Sequence, residues 1–312
     1  MSFSYEVKEE LVNQMGAARH CQLAELAALI SACGEVGIHT NRDLVLMIRS
    51  ENILVVDKAC QLISKAFRII PEVSVFGNGD WKKGRLYTMA VPLAKETGRI
   101  LNAVKYLSTE GVLRELEMPV RRTLLNSTCC KRAFLRGAFL ASGSISDPEK
   151  YYHFEIVCGN EQKALQLQEV IQSFDIDAKI VERKKSYIVY VKESEGISDL
   201  LNIMEAHRNL MNLENIKISR GIKGQINRTN NCDLANLNKT VSASFQQVQD
   251  IEKIQRTIGF NSLPEPLRQM AQVRLEHQDT PLKDLGQYLD PPVGKSGVNH
   301  RLRKLREIAE KL

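Results

Sequence analysis

Apolar positions in the first two thirds of the chain switch between a helical period and strict alternation, and the order of these segments in residues 20–107 recurs in residues 129–205. A helical stretch from Leu26 to Gly34 precedes alternating strands over Gly37–Arg49, which turn at Asn41-Arg42-Asp43. Its counterpart runs from Leu135 to Gly143, displaced by 109 residues, and precedes a strand over Tyr151–Cys158. Helices follow over 51–67 and 160–174. Next come strand pairs, Glu72–Phe76 with Leu86–Val91 and Ala178–Glu182 with Tyr187–Val191, which reverse at Asn78-Gly79-Asp80 and Lys184-Lys185-Ser186. Helices near 95–107 and 196–205 close the two units. Period-two strands bury one sheet face, so helices are expected on that face alone. The opening helices are rich in Ala, Gly and Ser, which predicts that they pack closely against each other at a pseudo-twofold axis.

The remainder reads differently. Residues 217–240 are polar and Asn-rich, and the stretch 214–240 is expected to be a linker between a domain over 1–213 and another over 241–312. Beyond it, Ser244-x-x-Gln247 has the spacing of a capping box, and Phe245, Val248, Ile251, Ile254 and Ile258 form a stripe expected in the core. Three further helices are expected over Glu265–His277, Pro281–Leu289 with Thr280 as N-cap, and from Lys295 to the end, in helix-turn-helix order. Leu282, Leu285 and Leu289 mark the inner face of the middle helix, and Val298, Leu302 and Leu305 that of the last. Gly286 suits a close crossing. The linking segment Asp290-Pro-Pro-Val-Gly294 is longer than a tight turn.

Charge narrows the function. The 43 basic and 37 acidic residues leave +6, and most of that excess lies after residue 213. Lys295, Arg301, Arg303, Lys304 and Arg306 fall within twelve positions that hold no acid. With Ser296, Asn299 and His300 they give the last helix a polar, cationic side suited to base edges and phosphates: Asn to adenine, Arg to guanine or phosphate. Arg220, Lys223 and Arg228 in the linker and Lys184 and Lys185 at a hairpin are further candidate DNA contacts, as are Arg42, Arg49, Lys82, Lys83, Arg85 and Arg183, although the same residues suit solvated turns. No apolar run reaches the length of a membrane span, and the first residues lack a signal-peptide pattern, which predicts a cytoplasmic protein. Seven cysteines, an odd number without C-x-x-C spacing, fit a reducing compartment. The histidines are scattered, and adjacent Cys129 and Cys130 are expected on different sides of a helix, so neither a metal site nor a cofactor is predicted.

The duplicated αββαββα order, with its small-residue helices, resembles the LAGLIDADG homing-endonuclease fold. That resemblance places the family's metal-binding acids at Cys33 and Ser142, neither of which is acidic, and so implies a scaffold without catalysis. The tail Leu-Asp-Pro-Pro-Val-Gly-Lys-Ser-Gly-Val-Asn-His-Arg-Leu-Arg-Lys-Leu at 289–305, with Asn-Arg-Thr-Asn-Asn-Cys-Asp-Leu-Ala-Asn at 227–236, is similar to the WhiA family. The combined expectation is an α+β chain: a degenerate LAGLIDADG-like domain followed by an all-α helix-turn-helix domain. The resemblance implies a bacterial DNA-binding regulator of transcription, linked to sporulation, cell division and chromosome segregation. It also implies double-stranded DNA as partner, with an RNA polymerase sigma factor or another regulator as a protein partner, and a place in the nucleoid. The alternative is a nucleoid-associated or protein-interaction factor that acts on division without controlling promoters.

Overall fold

The computed structural model describes residues 2–38, 44–76, 85–108 and 111–312, which form two compact units, Met1–Arg220 and Gly221–Leu312. The predicted turns at 41–43 and 78–80, with Arg42, Lys82 and Lys83, lie outside the described residues.

The first unit begins with α1 (Phe3–Asn13) and then runs through the seven-element motif twice. The first copy is α2 (Arg19–Cys33), β1 (Gly34–Ile38), β2 (Leu44–Ser50), α3 (Ile53–Phe67), β3 (Glu72–Phe76), β4 (Leu86–Val91) and α4 (Ala94–Ala103). The second is α5 (Thr128–Ser142), β5 (Gly143–Ile145), β6 (Phe154–Cys158), α6 (Glu161–Gln172), β7 (Lys179–Arg183), β8 (Ser186–Val191) and α7 (Ser194–Met204). Each copy builds a four-stranded antiparallel sheet, ordered β1-β2-β4-β3 and β5-β6-β8-β7. Leu46 and Ile48 of β2 and Phe154 and Ile156 of β6 face the core, while Arg49 and Glu155 alternate onto the other side. The β7–β8 reversal has only Lys184 and Lys185 between its strands, with Lys184 at φ 55°.

The central contact is between α2 and α5. A Cβ at Gly137 would stand 2.6 Å from the Glu25 carbonyl oxygen and 2.9 Å from Ala28 Cβ, so glycine is what allows these backbones to approach. Beside this contact lies a buried ionic cluster. Arg136 donates from Nε and Nη2 to the two oxygens of Glu25, at 3.0 and 3.1 Å, and from Nη1 to Glu205 at 2.8 Å. Lys58 Nζ sits 3.2 Å from Glu25 Oε1 and donates to the carbonyls of Leu11, Val12 and Gln14, closing the C-terminal end of α1. Burial holds the Lys58 ammonium below its ordinary range, against the attraction of Glu25.

Helix α8 (His207–Thr257) contains the whole segment expected as a linker, and the division between the compact units falls inside it. The segment is helix rather than irregular chain. Ile218, Ile222 and Ile226, then Leu234, Leu237 and Val241, repeat every three or four residues, a helical period obscured in the sequence by the asparagines between them. Thr229 and Thr240 donate their hydroxyls to carbonyls four residues back, the local bond a threonine makes within a helix. The predicted capping box is corrected for the same reason: the helix is already under way at Ser244, whose hydroxyl donates to the Gln278 carbonyl. In the stripe expected as core, Val248, Ile251 and Ile254 are buried, but Phe245 is 64% exposed and Ile258 is exposed as well.

Candidate nucleic-acid interface

In the second unit, α9 (Glu265–Glu276), α10 (Leu282–Leu285) with a 3-10 turn over Gly286–Tyr288, and α11 (Lys295–Ala309) enclose a core with the end of α8. The middle helix is shorter than expected and begins at Leu282, with Pro281 rather than Thr280 in the capping position. Thr280 instead gives its carbonyl to Arg274, whose buried guanidinium also bonds Gln247. Val298, Leu302, Leu305 and Ala309 put one side of α11 into the core. The segment before it is held by the Val293 amide, which donates to the Gly286 carbonyl at 3.0 Å.

The opposite side of α11 is open. Lys295, Ser296, Asn299, His300, Arg303, Lys304 and Arg306 are all exposed. Arg301 is the exception among the residues chosen from the sequence: it lies at the flank of the Val298–Leu302 face, half-buried, with Nη1 enclosed and unpartnered. Arg303 and Arg306 make in-helix ion pairs with Glu307 and Glu310, at 3.5 and 2.9 Å. Lys295 and Lys304 have no acid within ion-pair distance among the described residues. On the exposed side of α11, uncompensated charge is therefore carried by Lys295, in the first turn, and Lys304, mid-helix.

The candidates outside α11 are placed less favourably. Arg220 donates to the carbonyls of Pro148 and Lys150, at 2.6 and 3.4 Å, and its guanidinium lies 4.7 Å from the centre of the Tyr152 ring, so it is committed within the protein. Lys223 and Arg228 are exposed on α8, and Arg85, Arg183, Lys184 and Lys185 are exposed at strand ends. Arg49 pairs with Glu35 at 2.6 Å, and His153 Nε2 lies 3.1 Å from Glu155 Oε2, so the described part of the open sheet faces is mixed in sign.

Cys33 and Ser142 end α2 and α5. Burial pushes the Cys33 thiol up, opposed by the ammonium groups of Lys8 and Lys163, and Ser142 Oγ donates to the Val157 carbonyl at 2.8 Å. A neutral thiol beside two lysines and a hydroxyl already engaged make a poor seat for a divalent cation. Lys8 itself is lowered to about 8 by burial, with Cys33 opposing. Its folded value lies below the 10.5 of the free side chain, so the unfolded chain binds more protons between these values and stability gains as pH rises through them. Chemical denaturation should accordingly show Lys8→Met to be more stable than the parent at about pH 7.5, with the advantage shrinking at about pH 9.5. A constant difference would mean that the ammonium is not desolvated.

Three family models cover most of the chain: the WhiA N-terminal LAGLIDADG-like domain over residues 19–105, the WhiA LAGLIDADG-like domain over 131–223 and the WhiA C-terminal HTH domain over 226–309. A relative from Lachnoclostridium phytofermentans, named "Probable cell division protein WhiA", is 50% identical over 312 residues, covering 100% of this chain and 99% of its own. The chain belongs to the WhiA family. A relative of the same name from Alkaliphilus oremlandii is 45% identical, over 100% of this chain and 98% of its own. The crystal structure of full-length WhiA from Thermotoga maritima matches with a TM-score of 0.59 and 26% identity, covering 100% of this chain and 99% of that one. The WhiA architecture, a LAGLIDADG-like domain followed by a helix-turn-helix, is therefore that of this protein. No helix among the described residues is long and apolar enough to cross a membrane.

Two features were poorly legible from sequence. The commitment of Arg220 depends on carbonyls some seventy positions away, which spacing does not reveal. Sequence spacing also separated Cys129 and Cys130, yet both sulfurs lie with His20 and Cys21 in one cluster. Both cysteines occupy the first turn of α5, where the chain is entering the helix and neighbouring side chains can reach the same point.

Proposed function

We propose that this WhiA-family protein is a non-catalytic, DNA-binding regulator of transcription that acts on cell division, with the family's links to sporulation and chromosome segregation, in the bacterial cytoplasm and at the nucleoid. The exposed polar side of α11 carries this reading. Its N-terminal half presents Lys295, Ser296, Asn299 and His300, the part of a recognition helix that meets base edges in the major groove, and Arg303, Lys304 and Arg306 continue toward the phosphates. The family's helix-turn-helix and the relatives' name as cell division proteins support it. The mixed charge on the sheets favours α11 over the open sheet faces as the reading surface, which leaves the first unit for contacts with a sigma factor or another regulator.

The test is a binding series on duplexes selected from a random pool. Asn299→Ala and Arg303→Ala should each weaken the selected duplex by about 1–3 kcal/mol and relax preference at one position. Lys295→Ala and Lys304→Ala should weaken all duplexes alike and each lower the salt slope by about one. Parent-like affinity of all four variants for every duplex would remove α11 from the interface. With Mg²⁺ or Mn²⁺ present, supercoiled plasmid should remain uncut, and site-specific linearisation would refute the non-catalytic part.

A further inference from the structure

The first turns of α2 and α5 bring four ligand groups together at one end of the central helix pair. An imidazole nitrogen of His20 and the sulfurs of Cys21, Cys129 and Cys130 all lie within 4.8 Å of one another. His20 Nδ1 is 3.1 Å from Cys130 Sγ and 3.4 Å from Cys21 Sγ. In a tetrahedral zinc site, with bonds of about 2.3 Å to sulfur and about 2.0 Å to nitrogen, neighbouring ligand atoms stand roughly 3.5–3.8 Å apart. The four donors are thus already gathered to near the spacing that an ion would impose.

Two independent observations make the cluster more than a coincidence of cysteines. The first is symmetry. His20 and Cys129 are the second residues of their helices and Cys21 and Cys130 the third, so both pairs are related by the 109-residue displacement that relates the repeats. The second is capping. Elsewhere in the first unit, Ser2, Asn52 and Asn160 cap α1, α3 and α6 with their side chains, α4 and α7 carry Glu96 and Glu195 in their first turns, and Glu10 accepts from the Arg208 and Asn209 amides of α8. Only α2 and α5 begin with neither a side-chain cap nor an acid among the described α-helices of this unit. Helix starts stabilise negative charge, and zinc bound by three thiolates and a neutral imidazole leaves one net negative charge at both starts together.

We propose that His20, Cys21, Cys129 and Cys130 form a Cys3His site for a structural zinc ion that clamps the two repeats together. Thiolate-rich tetrahedral sets select zinc over magnesium or calcium, and four protein donors leave no open position for catalysis. Cys21 and Cys130 are buried while His20 and Cys129 are exposed, which gives the ion a way in from solvent. The site lies at the end of α2 and α5 opposite Cys33 and Ser142, so it is separate from the positions of the endonuclease acids.

The test uses the full-length chain, reduced and stripped with a chelator, then titrated with Co²⁺ and afterwards Zn²⁺. One equivalent of Co²⁺ should produce the absorption of a tetrahedral, thiolate-ligated ion, Zn²⁺ should displace it, and zinc should raise the melting temperature. Cys130→Ser and the exposed-site variant Cys129→Ala should lose the spectrum and the thermal shift. Cys232→Ser, outside the cluster, should keep both. Should Cys130→Ser fail to fold, Cys129→Ala and the parent titration decide the matter. Absence of stoichiometric binding by the reduced parent, a spectrum that survives in Cys129→Ala, or thiols alkylated at the same rate with and without zinc would overturn the proposal.

Discussion

Glu25→Gln should lower the melting temperature of the first unit by roughly 10 °C, reflecting a loss of about 3–5 kcal/mol. The substitution barely changes volume, so the effect is electrostatic. Arg136 and Lys58 are 2% and 0% exposed at their side chains, and Glu25 is the carboxylate that both of them face. Without its charge, two cations remain in the core, with Glu205, itself 37% exposed, as the one remaining acid on Arg136. The loss measures the stranding of those cations rather than the net worth of the cluster. Replacing all three together, as Glu25→Leu with Lys58→Met and Arg136→Met, should therefore cost far less than Glu25→Gln alone. Thermal denaturation followed by circular dichroism compares the two. A triple variant less stable than the single would show that the cluster contributes net stability.

Gly286→Val should have the largest effect in the second unit, destabilising it by about 3 kcal/mol and, on the function proposed above, abolishing DNA recognition with it. A Cβ at this position would stand 1.9 Å from the Val293 carbonyl oxygen and 3.0 Å from Val298 Cγ2. The first of these is backbone that enters α11, so relief requires moving the helix itself. The φ of Gly286 is −66°, which any residue adopts, so the cause is space alone. Hydrogen exchange over residues 282–305 should accelerate in this variant. Gly221→Ala is the control: nothing lies within 4 Å of its added methyl, and within α8 it should stabilise by about 0.5–1 kcal/mol. Unchanged exchange in Gly286→Val would mean that the turn has slack.

Much of the architecture could be read from period alone. The strands Glu72–Phe76 and Leu86–Val91 have the predicted ends, because alternation and flanking polar residues bound them sharply. The close α2–α5 contact was visible in Gly137 and Ala28, since small residues on an otherwise apolar helix have few other uses. The rest depended on context. The stretch 217–240 has the composition of a linker, and composition outweighed the spacing of its isoleucines and leucines. Arg301 was grouped with its basic neighbours, although one helical step turns it toward the flank of the core. The His20–Cys21 and Cys129–Cys130 pairs share the 109-residue offset of the repeat, but C-x-x-C spacing within one segment does not describe ligands divided between two halves of a duplication.

Covalent joining of the halves has freed them to differ where they meet. The position matching Glu25 in the second repeat is Phe134, and that matching Arg136 in the first is Ala27. Two identical subunits would have had to place both acids and both guanidinium groups across the same axis, doubling the desolvation in a space with room for one pair. A single polypeptide can instead be lopsided, with charge on one side and an aromatic ring on the other. Reverting the fusion to a homodimer of either half would therefore fail at this point first, whatever was done to the sheets.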